Sequence, residues 1–295
     1  MPIQRRYLNR GLAVSAALTF FICGRIASQA PNQGATEQST AAPAYSVGAA
    51  DAIFREYVDE HGSVDYQRLK EHRGNLDAFV ASLANVDLTA IESQSEPERI
   101  AFWINAYNAI TLQRIIDHYP TKRVETSPGQ RFPENSIRQI EGVWDKLVTR
   151  VAGRDMTLDH IEHEILRKEF QAPRVHAALV CAAKSCPPLR AEAFTAERLN
   201  DQLDDQSRRF LGTAGRFSID REKKIVRLSP ILKWYGKDFV GVYDTTSTIQ
   251  GHSPAETAAL EFASRYVSAE DAEFIRTQTY RVEFLDYDWS LNESE

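Results

Sequence analysis

The sequence predicts an α+β fold, predominantly helical with short strands and hairpins, in a single compact domain. Three observations carry this. Apolar residues recur at helical spacing from about residue 48 to 119, and again towards the C-terminus. Two stretches, "DKLVTRVAGRDMTL" and "RFSIDREKKIVRLS", read as hairpins. After residue 48 no internal repeat appears, and no break clearly divides the chain, whose 295 residues suffice for one large core.

In order, helices are expected near residues 49–60, 66–84 and 97–118, the last stopped by Pro120. "TSPGQRFPENS" reads as a loop, and Gly153 turns the first hairpin. Thr157 can cap a helix over 158–169, with Asp159 favourably placed in its first turn. "RVHAALV" reads as a buried strand that runs into a loop containing Cys181 and Cys186. A helix over about 195–211 precedes the second hairpin, and "PILKWYGKDF" gives a short helix with its loop. Helices near 254–265 and 269–277 and a last strand in "YRVEFLDYDW" complete the chain.

The N-terminus differs from the rest. "MPIQRRYLNR" has three arginines and no acid, "GLAVSAALTFFICG" is apolar, and "RIASQA" offers small residues for cleavage. That is the layout of a secretory signal peptide. The apolar run is shorter than the ~20 residues a bilayer span needs. Residues 1–30 are therefore expected to be a signal peptide cleaved after Ala30, residues 31–47 a linker, and 48–295 the domain. The protein is expected to be exported, periplasmic or extracellular. An uncleaved anchor is the alternative, and would be its one route to a membrane. Removing residues 1–30 removes four arginines and takes the formal net charge from −6 to −10. An acidic body argues against nucleic acid, leaving an unknown small molecule or peptide as the expected partner. Cys181 and Cys186 then become the remaining cysteine pair, in a compartment where disulfides form.

Polar groups in apolar surroundings mark candidate site residues. On a wheel of about 100° per residue, Leu158, Ile161, Ile165 and Leu166 centre a buried stripe, and Glu162 falls inside it. A buried carboxylate needs a partner, and Arg167 or Arg190 is expected to supply it. His163 falls on the flank, where it can reach a cleft. In "FWINAYNAITLQRII", Asn105 and Asn108 lie about 60° apart on an apolar face, so their amides either brace a loop or line a site.

As a strand, "VHAALVC" would turn Cys181 away from the side His176 faces. Pro187 denies Cys186 the N–H of a following residue, whereas Ala182 and Ala183 follow Cys181. If a thiol attacks a carbonyl, this favours Cys181, with Cys186 as a resolving or disulfide partner. A small core hydrophobe remains the other reading of Cys181. "HIEHE" lacks the zincin order, and no Cys-x-x-Cys, phosphate loop or dinucleotide fingerprint is present, so neither metal nor cofactor is expected.

Five motifs, "FWINAYNAI", "LDHIEHEILR", "HAALVCAAKSCPPLR", "WYGKDF" and "YDWSLN", together resemble domain of unknown function 547, DUF547, over about residues 49–292. The resemblance implies one domain and marks Trp103, Asn105, Tyr107, Asn108, Glu162, His163, Arg167, Cys181, Cys186, Pro187, Arg190, Asp288, Trp289 and Asn292, but no reaction. Plant relatives resemble the chain yet tend to carry serine at the position of Cys186, so the resemblance does not imply an obligatory disulfide. Two functions follow from the residues. One is a thiol-dependent hydrolase or acyl transferase: Cys181 attacks, His163 is its base, Glu162 or an Asn orients the site, and Arg190 binds an anion. A redox variant would use both cysteines as a dithiol. The alternative is a non-catalytic binding or interaction module, in which Glu162, His163, the Asn pair and Arg190 form a buried polar network; Arg167 and His176 are further candidates for binding or bracing the site.

The export reading makes one direct prediction. Mass spectrometry of the protein from its native host should find a mature N-terminus close to residue 31, and an intact Met1 on soluble cytosolic protein would refute it.

Overall fold

The computed structural model of the protein describes residues 45–121, 132–243 and 247–294. The expected signal peptide, most of the linker and part of the "TSPGQRFPENS" loop lie outside these residues. Helices α1 (Val47–Tyr57), α2 (Tyr66–Glu71), α3 (Gly74–Leu83) and α4 (Leu88–Glu92) pack on α5 (Glu96–His118). Ser95 and Glu98 close a capping box and Pro97 sits in the first turn, so α5 begins where its end chemistry is best satisfied. Every residue of α5 from Ile100 to Leu112 is buried. The helix is apolar almost all round because its neighbours cover it on most sides. The expected single helix over 66–84 is two, α2 and α3, separated at His72 and Arg73. Ahead of α1, Tyr45 already packs its ring against Phe79 and Phe102.

Strands β1 (Thr149–Val151) and β2 (Arg154–Met156) pair antiparallel across Ala152 and Gly153, both at positive φ. Thr157 Oγ1 then accepts from the N–H of His160 at 3.1 Å. The helix that follows is not α-helical throughout. His160–Leu166 is a π-helix, continued by α6 (Arg167–Glu169), whose first N–H bonds to the carbonyl of Glu162 five residues back. Such wide turns are rare and recur at functional sites. Glu162 and His163 lie within it.

The "RVHAALV" strand is not formed. Pro173–Ala177 is a 3-10 turn, with the N–H groups of Ala178 and Leu179 both bonded to the carbonyl of Val175. The extended piece that follows has no ladder partner among the described residues. Instead Asn108 Nδ2 donates to the carbonyl of Ala178 at 3.0 Å, and Asn108 Oδ1 accepts from the N–H of Val180 at 3.0 Å. A side-chain amide thus satisfies backbone groups that a strand would have paired.

Helix α7 (Leu199–Gly212) leads to β3 (Phe217–Asp220) and β4 (Ile225–Leu228), an antiparallel hairpin. Helices α8 (Pro230–Trp234), α9 (Gly236–Phe239), α10 (Pro254–Tyr266) and α11 (Ala269–Thr277) follow, and β5 (Arg281–Phe284) adds to β4 in parallel. The class is α+β, mostly helical, with small sheets of two and three strands among the described residues. Buried apolar side chains there form two clusters, one around α5 and one between the larger sheet and α8–α10. Tyr287 packs against both.

The last residues form a strap rather than more strand. The carbonyls of Ser290 and Asp288 accept from Lys184 and Ser185 at 2.7 and 3.1 Å, and the N–H of Asn292 donates to Ala182 at 3.1 Å. The cysteine loop is therefore held by α5 through Asn108 and by the C-terminal strap. Gly62 supports it from a third direction. Its φ is +82°, and a Cβ there would come within 2.7 Å of the backbone nitrogen of Leu189 and 2.5 Å of Pro188 Cβ. Gly62→Ala should therefore cost about 2 kcal/mol or more. Denaturant titration would measure it, and an unchanged midpoint would show that the loop yields without cost.

Candidate functional site

Cys181 and Cys186 sit on a loop whose backbone is bent to bring them together. Ala182 adopts φ +58°, a conformation rare for a residue with a Cβ and found preferentially where structure holds it in place. The bend directs the N–H of Cys181 onto Cys186 Sγ at 2.8 Å, and the two sulfurs stand 2.6 Å apart. Both thiols are free. Tyr287 Oη lies 3.2 Å from Cys181 Sγ. Cys186 is 3% exposed, whereas Cys181 is partly open. Both line a cavity of about 420 Å³ between the two apolar clusters, along with Tyr107, Glu162, His163, His176, Tyr235 and Tyr287.

The two thiols are electrically unequal. Burial opposes a thiolate at Cys186, but the Cys181 thiol, the Cys181 N–H and the Tyr287 hydroxyl outweigh it and draw ionisation below the ordinary thiol value. Cys181 is pushed well above that value, first by the proton it shares with Cys186 and then by burial. Tyr287 is held protonated, first by burial and then by the two sulfurs, so it remains a donor. The pair thus shares one proton: the first ionisation comes early and the second late. Both sulfurs receive the backbone N–H of Ala183, and Cys186 receives that of Cys181 as well.

Glu162 is buried as the helical pattern predicts, but its partners are not arginines. Tyr107 Oη donates to Glu162 Oε2 at 3.1 Å, and Tyr235 donates to the same carboxylate. Burial first, and the Glu162 charge second, push both phenols up, so they stay protonated. Arg167 instead grips Asp238 with two hydrogen bonds, 2.6 and 2.9 Å. His176 Nε2 meets Asp238 Oδ2 at 2.7 Å, and its ring stacks on Tyr235 at 4.1 Å. Burial would raise Asp238, but hydrogen bonds from His176 and Arg167 hold it far below the carboxylate range.

His163 belongs to this network rather than to the thiols. Arg167 Nη1 lies 2.8 Å from His163 Nδ1. A guanidinium only donates, so Nδ1 accepts and the neutral ring carries its proton on Nε2. The lone pair a base would use is occupied. Among the described residues, the hydrogen-bond partners of Cys181 Sγ are Cys186, Tyr287 and the backbone N–H of Ala183, and His163 is not one of them. Arg190 is also elsewhere: it pairs with Glu192 and Asp205 and does not line the cavity. Asn105 braces backbone, with both amide atoms on Phe194 at 2.8 and 2.9 Å. Asn108 does the same beside Cys181.

Sequence reasoning did not single out Tyr235, Asp238, Tyr287, Arg138 or Trp144. Three of these lie inside quoted motifs, Tyr235 and Asp238 in "WYGKDF" and Tyr287 in "YDWSLN". Arg138 and Trp144 lie outside them, on the segment between α5 and β1. Trp144, Trp234 and Trp289 complete an aromatic wall, with Trp234 49% exposed at its edge. Asp145 and Asp159 add carboxylates to the lining, and burial raises Asp159.

The shared proton gives a pH prediction with a defined sign. Alkylation of the reduced pair by iodoacetamide should have its midpoint below the ordinary ~8.5 of a thiol. Cys186→Ser should move the Cys181 midpoint downward, because the proton shared with Cys186 is the first cause that raises it. His163→Ala should leave it in place, because His163 does not touch either sulfur. A shift with His163→Ala and none with Cys186→Ser would reverse the assignment.

No curated protein and no solved structure matches the chain. The family described as "Protein of unknown function, DUF547" matches residues 91–211, a narrower span than the motifs suggest. The matched segment runs from the end of α4 through α5, the π-helix and both cysteines to the end of α7.

Proposed function

We propose that the protein is a thiol enzyme whose reacting groups are Cys181 and Cys186, acting as a dithiol on a disulfide substrate. The observation that carries this is the contact of two free thiols, sharing one proton, at the wall of an aromatic cavity. Export, as read from residues 1–30, would place the pair where disulfides persist. Hydrolysis or acyl transfer with His163 as base has less support, because its Nδ1 faces Arg167.

The steps balance as thiol–disulfide exchange. Cys186 thiolate takes the proton of the Cys181 thiol. Cys181 thiolate attacks one sulfur of the substrate, forming a mixed disulfide and expelling the other sulfur as a thiolate. That thiolate takes up the proton now on Cys186. Cys186 then attacks Cys181 Sγ, closing the Cys181–Cys186 disulfide and releasing the second thiolate. The protein dithiol is oxidised and the substrate disulfide reduced to one thiol and one thiolate, the latter taking its proton from solvent.

The binding-module reading is favoured by one observation: Glu162, Arg167, Asp238 and His176 are all paired with one another or with tyrosines, as a structural network would be. The two readings separate on a trapping experiment. Reduced protein mixed with oxidised glutathione should yield the internal disulfide, seen by mass spectrometry as loss of two hydrogens. Cys186→Ser should stop at a glutathione adduct on Cys181, and Cys181→Ser should form no adduct at Cys186. A folded Cys186→Ser protein without the adduct would refute the enzyme reading and favour the binding module.

A further inference from the structure

Arg138 follows Ile137 in a 3-10 turn capped by Ser136, whose Oγ accepts the N–H of Arg138 at 3.2 Å. Its guanidinium carbon stands 4.3 Å from the ring centre of Phe132, 5.1 Å from Trp289 and 5.4 Å from Trp144. Trp289 and Tyr287 pack at 4.5 Å, and Tyr287 Oη reaches Cys181 Sγ. The cation therefore faces the same cavity as the thiols, three side-chain contacts from Cys181.

What sets Arg138 apart is its lack of a counter-charge. Among the described residues its side chain makes no ion pair and no hydrogen bond, and rings are its neighbours. The carboxylates of the lining, Asp145, Asp159 and Glu162, form no ion pair with it. Arg167, which is not in the cavity lining, is already engaged by Asp238 and His163. A half-buried guanidinium is costly to hold without an anion, and its planar fork matches a carboxylate with two parallel hydrogen bonds. Aromatic faces orient that fork without neutralising it.

We infer that Arg138 is a specificity residue that binds a carboxylate of the substrate, so the class acted on is a carboxylate-bearing thiol or disulfide, with its anion in the aromatic slot and its sulfur at Cys181. This rests on the reading of Cys181 as the reacting thiol and adds the substrate's charge to it.

Two small alkylating reagents test it, because they share a reacting carbon and differ in charge. Iodoacetate carries the carboxylate and iodoacetamide is neutral. The full-length reduced protein is treated with each, and the two sites are read separately, since trypsin cuts after Lys184 between the cysteines. In the native protein the rate ratio of iodoacetate to iodoacetamide at Cys181 should exceed that of Arg138→Gln by about tenfold. The excess should shrink as salt is added. Arg138→Lys should keep part of it, which covers the case in which Arg138→Gln disturbs the fold. Equal ratios in the native protein and in both variants, with Cys181 still labelled, would overturn the role of Arg138. Failure of Cys181 to label with either reagent would overturn the thiol reading itself, and this inference with it.

Discussion

One amide governs the placement of the thiols. Asn108, buried on α5, donates to the carbonyl of Ala178 and accepts from the N–H of Val180. Among the described residues the chain leading into Cys181 has no strand beside it, so these bonds replace a ladder. Buried backbone groups without partners would each cost on the order of 1–3 kcal/mol. The amide removes that cost and, because α5 is packed on most sides, it also fixes where Cys181 emerges. The C-terminal strap holds the other flank at Ala182, Lys184 and Ser185. Between these two anchors the backbone has little choice, and Ala182 accepts a positive φ. Strain of about 1–3 kcal/mol persists only where the surroundings enforce it.

That geometry changes how a thiol is activated here. A histidine beside a cysteine stabilises the thiolate with an opposite charge. In this cavity the histidine is committed to Arg167, and the groups that draw Cys186 down are a second thiol, backbone N–H groups and a phenol. Glu162 follows the same logic. Two tyrosine hydroxyls satisfy it without adding a cation, so the arginine is left to hold Asp238 and, through it, His176. Stacking of His176 on Tyr235 then ties the phenol that serves Glu162 to the carboxylate that serves Arg167. Glu162, Arg167, Asp238 and His176 thus form a closed network, while Arg138, among the described residues that line the cavity, is a cation without a carboxylate partner.

Much of this architecture was written locally in the sequence. Capping boxes at Ser95 and Ser253 begin α5 and α10. Gly153 turns the first hairpin, Pro120 follows the end of α5, and the apolar stripe around Leu158 put Glu162 inside the protein. Each depends on residues within a few positions of one another, where backbone propensity and side-chain period act directly. The run "RVHAALV" misled for the same reason. Apolar and β-branched residues suit a strand, but Pro173 favours a turn start, and the partner that decided the matter lies on α5, about 70 residues away.

The sequence by itself determined the helical framework, the two hairpins, the burial of Glu162 and the presence of a polar pair on α5. Only the tertiary structure decided which groups meet the thiols. Tyr287 is 106 residues from Cys181, Asp238 is 71 from Arg167, and Arg138 reaches the cavity from the segment between α5 and β1. No period or cap records such meetings, because they arise from how two apolar clusters settle against each other and leave a space between them. Even the partners of the sulfurs lay outside local reading: the N–H of Cys181 meets Cys186 Sγ only once the loop closes on itself.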